Sequence, residues 1–182
     1  MSKPELTKQL LAGTLKKLAS TKHLDKISIS EIVAAAGLNR QTFYYHFQDK
    51  QELICWIFDT NIARIMDEHR DSKVLNHLVE YFYSEKDFYT DALTSKVQNN
   101  LRDHLYEVCH DYCIGEILLA IGDRTIDGEA VDLFARMFTN AIVGTLIQWV
   151  QEGMKTDHVK FLADYMPIFE QYLALAVNKC AE

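Results

Sequence analysis

Gly37-Leu38-Asn39-Arg40-Gln41-Thr42-Phe43-Tyr44-Tyr45-His46-Phe47-Gln48-Asp49-Lys50-Gln51-Glu52-Leu53 is the stretch that decides the fold of this chain. A glycine ends whatever helix precedes it, Asn39 is a strong N-cap, and Asp49 with Glu52 forms a second cap-like pair further on. Only a short helix fits between the two caps. Phe43 and Phe47 stand four apart on it, the spacing of a pair turned toward a core. Upstream, Ser28 and Glu31 have the Ser-x-x-Glu spacing of a capping box, and Ile29, Ile32, Val33 and Ala36 give the intervening helix an apolar side before Gly37 stops it. Helix, glycine turn and helix make a helix-turn-helix, whose second helix enters the major groove of DNA while the first lies across the backbone.

With Phe43 and Phe47 facing inward, Arg40, Gln41, Tyr44 and Tyr45 face away from the core. Arg donates two hydrogen bonds to guanine O6 and N7, and Gln pairs bidentately with adenine, so Arg40 and Gln41 are the first candidates for reading base edges. Thr42 and Tyr45 offer hydroxyl contacts or a meeting with a thymine methyl. Tyr44, His46 and Lys50 carry donors suited to phosphates, which fix register without reading sequence. With Ser28 these make the expected DNA-binding set: Ser28, Arg40, Gln41, Thr42, Tyr44, Tyr45, His46 and Lys50. His46 has an equal alternative, as a residue that caps or packs beside Phe47.

The charge distribution supports the same reading. The 182 residues carry a net charge of −7, which taken alone argues against a nucleic-acid binder. Residues 1–50, however, hold eight basic residues against four acidic ones, +4, while the remainder holds 11 against 22, −11. Residues 4–22 are expected to form a first helix, with Pro4 in its first turn, a stripe of Leu6, Leu10, Leu11, Leu15 and Leu18, and a charged face of Lys8, Lys16 and Lys17. Any one of these lysines reads most simply as a solvated face. Together with Lys3, Lys22 and Lys26 they suggest a diffuse phosphate-facing surface.

Two prolines and seven glycines, with apolar residues at three- and four-residue steps and no sustained alternation, predict an all-α chain. A helix from Asp49 through Leu53, Ile57, Phe58, Ile62, Ile65 and Met66 leaves the head. Helices follow over 74–121, with breaks near Ser84–Lys86 and Ser95–Asn100. Gly122 and Gly128 flank a turn before a helix containing Val131 to Val150, and a last helix runs over roughly 157–179, kinked at Pro167. The penultimate helix is apolar around most of its circumference, so a second subunit is its natural cover, and Ala141 and Gly144 permit close approach. The expected organisation is a three-helix helix-turn-helix domain over 1–50 and a helical dimerisation and effector domain over 51–182.

Other function classes find little support. There is no apolar leader and no long uncharged apolar run, so a cytoplasmic protein without a membrane span is expected. Cys55, Cys109, Cys113 and Cys180 lack the spacing of a disulfide framework. Cys109, Cys113, His104 and His110 invite a metal reading, but one helical cysteine pair reads better as core, and the dispersed His69, His77 and His158 add nothing. No metal or cofactor is expected. No nucleotide loop, nucleophile elbow or metalloprotease motif occurs, so an enzyme is not expected. Tyr81, Tyr83, Tyr89, Tyr106, Tyr112 and Trp149 read as core with hydroxyls at the rim or, less simply, as walls of an effector pocket.

Ser30 to Leu53 resembles the DNA-binding signature of the TetR family of bacterial transcriptional regulators. The family pattern Gly-Val-Ser-x-x-Thr-x-Tyr-x-His-Phe-x-x-Lys-x-x-Leu meets Gly37, Thr42, Tyr44, His46, Phe47, Lys50 and Leu53 here, with departures at Leu38, Asn39 and Gln41. The resemblance implies a homodimer binding double-stranded palindromic operator DNA, with a C-terminal domain that takes a small-molecule effector. Val74 to Val97, including Glu80 to Tyr89, is similar to the branch of dihydroxyacetone kinase regulators. That similarity implies control of a dihydroxyacetone-utilisation operon, activation as an alternative to repression, and a dihydroxyacetone-kinase-like protein as co-regulator in place of a direct ligand.

Overall fold

The computed structural model describes residues 3–68, 74–95 and 100–180, and among them every regular element is helical. The chain forms two compact units, residues 1–101 and 102–182. The first holds α1 (Lys3–Ala19), a 3₁₀ turn (Leu24–Lys26), α2 (Ile29–Ala35), α3 (Arg40–His46), α4 (Lys50–Glu68), α5 (Val74–Ser84) and α6 (Lys86–Thr94). Because α1 packs on α4 and α6 as well as on α2 and α3, residues 1–50 are part of a larger compact body.

Local chemistry sets the helix ends in this unit. Ser28 caps α2, its hydroxyl accepting from the Glu31 N–H at 3.2 Å while the Glu31 carboxylate accepts from the Ser28 N–H at 2.8 Å. At the other end Gly37 has φ +67°, its N–H donating to the Ala34 carbonyl and the Leu38 N–H to that of Val33, a Schellman motif. Asn39 caps α3 by accepting from the Thr42 N–H at 2.8 Å, and Asp49 caps α4 by accepting from the Glu52 N–H at 2.8 Å. The break between α5 and α6 falls at Ser84 and Glu85. The break expected at Ser95–Asn100 lies largely outside the described residues.

The core of this unit is Leu11 and Leu15 of α1, Ile32 and Val33 of α2, Phe43 of α3, Phe47 after it, and the α4 row Leu53, Ile54, Ile57, Phe58, Ile62 and Ile65. Phe82 of α5 stacks on Phe58 and meets the buried Tyr89 of α6 edge-on at 4.3 Å. The expected leucine stripe on α1 is too wide. Leu10 and Leu11 are adjacent and point about 100° apart. Leu11 and Leu15 take the core, leaving Leu6 and Leu10 exposed on the flank. Met66, expected inside, is also exposed.

The second unit holds α7 (Asn100–Ile121), which begins at the boundary, α8 (Gly128–Gln151) and α9 (His158–Cys180). Asp127 caps α8, and its own N–H donates to the Cys180 carbonyl at 2.9 Å, tying the start of α8 to the end of α9. Phe138 of α8 lies against Phe169 and Tyr172 of α9, and Trp149 stacks on Phe161 at 4.5 Å. Among the described residues α8 alone is long and apolar enough to cross a membrane by length and composition. Its buried side, including Val131, Ala135, Phe138, Val143 and Leu146, instead belongs to a protein core. Helix α9 continues through Pro167, which sits with Ala163 on the exposed side. Burial pushes the Cys109 thiol up to about 12 and that of Cys113 up to about 11, so both are neutral core thiols. His69 of the metal reading lies outside the described residues.

Two glycines separate backbone conformation from packing. A Cβ added at Gly37 or at Gly13 meets nothing within 4 Å. Gly37→Ala nevertheless forces an L side chain into the left-handed region and should cost about 1–2 kcal/mol. Gly13→Ala, inside α1, should stabilise by about 0.5–1 kcal/mol. Urea unfolding should show the two midpoints moving in opposite directions with unchanged slope.

Candidate nucleic-acid interface

Helix α3 has only seven residues, so it is held by its ends and by two rings. Phe43 and Phe47 are buried with centroids 5.9 Å apart, and Phe47 meets Trp56 of α4 at 6.0 Å. Their burial turns the opposite face outward. Arg40 and Gln41 are exposed, Tyr44 is 48% exposed and Tyr45 79%. A phenol that far in water contributes little to a core.

The expected contact residues do not all stand in the same condition. Arg40 Nη2 donates to the Tyr44 hydroxyl at 3.1 Å, and the guanidinium lies 5.8 Å from the Tyr44 ring centroid. Tyr44 thus steadies Arg40 and leaves the remaining guanidinium donors for a ligand. Thr42 gives its hydroxyl proton to Asn39 Oδ1 at 3.0 Å, keeping its lone pairs and methyl. His46 is half-buried, with its ring edge-on to Tyr45 at 4.9 Å. The hydroxyl of Ser28 is committed to the α2 capping box, although the residue is exposed.

Lys50 is placed differently from its expected role. Its ammonium donates to the carbonyls of Leu24 and Ile27, the latter at 2.8 Å, and burial lowers its pKa from the ordinary lysine value. It holds the 3₁₀ turn against the start of α4. The diffuse lysine surface is thinner than its count suggests. Lys8 sits over the Phe47 and Trp56 rings, Lys16 pairs with Glu85 at 2.9 Å, and Lys22 pairs with Glu31. Lys3, Lys17 and Lys26 are exposed.

Sequence reasoning misses Asp91 altogether. This α6 carboxylate accepts from the Leu24 N–H at 2.8 Å and pairs with His23. No local pattern marks it, because its partners lie 67 and 68 positions away along the chain. Of the tyrosines considered as pocket walls, Tyr81 and Tyr89 are core, with the Tyr89 hydroxyl donating to that of Tyr81 at 3.1 Å. Trp149 is buried and donates to the Thr156 carbonyl at 2.8 Å. With Phe161 and Tyr165 it lines a shallow surface depression.

Residues 13–54 match the family described as bacterial regulatory proteins, tetR family, and residues 72–170 match its transcriptional regulator C-terminal region. The HTH-type dhaKLM operon transcriptional activator DhaS of Lactococcus lactis is 35% identical over 71 residues, a match covering 39% of this chain and 38% of that relative's length. The solved structure of the dihydroxyacetone kinase operon activator DhaS superposes with a TM-score of 0.70 at 21% identity, over 97% of this chain and 98% of that one. NalD, the secondary repressor of the MexAB-OprM multidrug efflux pump in Pseudomonas aeruginosa, superposes with a TM-score of 0.57 at 18% identity, over 93% and 96%. At such identities the superpositions show a shared fold.

The capping box carries a pH signature. Lys22, followed by the Ser28 N–H and hydroxyl, holds the Glu31 carboxyl down from 4.5 to about 2. A carboxyl lowered by folding stabilises the native state above its unfolded value, and that contribution disappears as pH falls through the folded one. Thermal midpoints of the wild type and Glu31→Gln should therefore differ most above pH 4.5 and converge as pH approaches 2. A constant gap across that window would show that the charge plays no part.

Proposed function

The chain belongs to the tetR family of bacterial regulatory proteins, and from that premise we propose that it binds a palindromic operator as a homodimer, reading bases with the outer face of α3. As a family member it is a DNA-binding transcriptional regulator. The observation that carries the specific reading is the outward set on α3: Arg40 steadied by Tyr44, with exposed Gln41 and Tyr45 beside it. Arg40 and Gln41 supply bidentate donors to base edges, and Tyr45 with the free lone pairs and methyl of Thr42 supplies shorter-range contacts. Tyr44 and His46 flank them toward phosphates. Ser28 stands at the start of α2, and Lys50 serves this surface by holding its frame.

Dimerisation is supported by the outer sides of α8 and α9. Leu133, Met137, Ile168 and Leu175 are exposed there, and exposed Ala141 and Gly144 continue the α8 face with little bulk. A second copy covering these faces forms a four-helix interface, and two heads on one axis add their binding free energies on an inverted repeat. DNA as the partner puts the protein in the cytoplasm. The 71-residue likeness to the dhaKLM operon activator supports control of a dihydroxyacetone-utilisation operon. The alternative reading makes a kinase-like co-regulator protein, and not a small molecule, the signal. Exposed Leu118, Leu119 and Ile126 near the end of α7 favour it, because they offer a protein an apolar foothold.

Titration of the purified protein on DNA from its own promoter separates the readings. Specific binding without a second protein supports the simple version, and binding only with a partner protein supports the alternative. On that operator Arg40→Ala should cost about 1–3 kcal/mol and relax preference at one symmetric base pair. Equal weakening on every sequence would make Arg40 a phosphate contact. Met137→Lys should shift the protein toward monomer in sedimentation and abolish high-affinity binding to the full palindrome, with circular dichroism unchanged.

A further inference from the structure

Helix α6 is nine residues long, yet polar contacts tie both its ends to the N-terminal head, at α1 and at the 3₁₀ turn. At its start Glu85 pairs with Lys16 of α1 at 2.9 Å, and the same ammonium reaches the Tyr81 hydroxyl at 3.3 Å. At its end the Ser95 hydroxyl donates to Asp25 Oδ1 at 2.6 Å. Between them Asp91, its side chain only 14% exposed, accepts from the Leu24 N–H through Oδ2 and faces His23 with Oδ1. Leu24 is itself buried. Its peptide groups are gripped from two sides, the N–H by Asp91 of α6 and the carbonyl by Lys50, the first residue of α4. Lys50 follows the end of α3 by four residues and also holds the Ile27 carbonyl beside the α2 cap.

We propose that Asp91 is a positioning residue for DNA recognition, fixing the angle of α3 through the Leu24 peptide and Lys50. The proposal rests on α3 being the reading helix but adds a second handle on it, distinct from the direct continuation of α3 into α4. The physical basis is the accounting of buried backbone groups. Leu24 N–H and C=O lie away from water and need partners: the N–H donates to Asp91 of α6, while the C=O accepts from Lys50 of α4 as well as from the Ile27 N–H of its own turn at 3.1 Å. Removing the Asp91 acceptor orphans a buried donor, so the connection relaxes and Lys50 loses a fixed carbonyl. A recognition helix that must be ordered at the moment of binding binds more weakly than one already in place. A signal that shifts α6 therefore reaches the head through this carboxylate as well as through the Lys16–Glu85 and Asp25–Ser95 contacts, with no contact between Asp91 and DNA.

The test combines amide hydrogen exchange on the free protein with operator titration at several salt concentrations, for the wild type, Asp91→Ala, Asp91→Asn and Lys50→Ala. In Asp91→Ala, exchange over 24–28 and 40–47 should rise about tenfold while the 57–65 segment of α4 stays as in the wild type. Operator affinity should fall about tenfold with an unchanged salt slope, because no phosphate contact is lost. Asp91→Asn, which retains an oxygen for the Leu24 N–H, should recover most of both effects. Asp91→Ala and Lys50→Ala combined should cost clearly less than the sum of the two, since both act on one peptide. Unchanged exchange at α3, an equal rise over α4, or full additivity would overturn the proposal. If the wild type itself shows no sequence preference, the operator reading fails, while the exchange data on the free protein still decide whether Asp91 holds α3.

Discussion

Phe43 and Phe47 anchor a helix that cannot stand alone. Seven residues give an α-helix too few internal hydrogen bonds to offset the cost of its nucleus in water. Helix α3 therefore persists because two rings on one face are buried, against Trp56 of α4 among other groups, and because Asn39 caps its start. Once those rings are fixed, the opposite face has no freedom. Arg40, Gln41, Tyr44 and Tyr45 project outward as a consequence of where the phenylalanines point, so the proposed recognition surface is a by-product of core packing. The Gly37 turn sets α3 against α2, and the Asp49 cap fixes where α4 begins.

Electrostatics around this anchor is organised more for holding the head together than its basic excess suggests. Of the eight basic residues in 1–50, Lys8 rests on aromatic rings, Lys16 and Lys22 pair with carboxylates, and Lys50 is spent on backbone carbonyls. The basic charge that stands exposed on the head is that of Arg40, Lys3, Lys17 and Lys26. On the proposed reading, this lowers the number of phosphates that one head neutralises and shifts the burden of affinity toward base contacts and toward a second subunit.

Legibility in the sequence tracks the range of each interaction. Caps and turns are written within four residues, so the Ser28–Glu31 box, the Gly37 stop, the Asn39 cap and the Asp49 start are all visible, as is the inward direction of Phe43 and Phe47. The roles of Lys50 and Lys16 are not, because their partners lie 26 and 69 positions away and a lysine carries no local mark of the group it will meet. Asp91 is invisible for the same reason. The leucines of α1 fail in another way: periodicity names a side of a helix but not its width, and neighbours about 100° apart cannot both lie at its centre. The apolar excess of α8 is legible, and its exposed Leu133 and Met137 mark the side that one chain leaves uncovered.

Arg40, on the proposed reading, places a guanidinium against a guanine edge in the major groove. Methylation interference on the operator measures this directly, since a methyl group on guanine N7 blocks that contact. The wild type should show interference at a symmetric pair of guanines about one helical turn apart, and in Arg40→Ala that pair alone should become indifferent to methylation. An identical interference pattern for both proteins would contradict the claim and place the reading of sequence elsewhere than on Arg40.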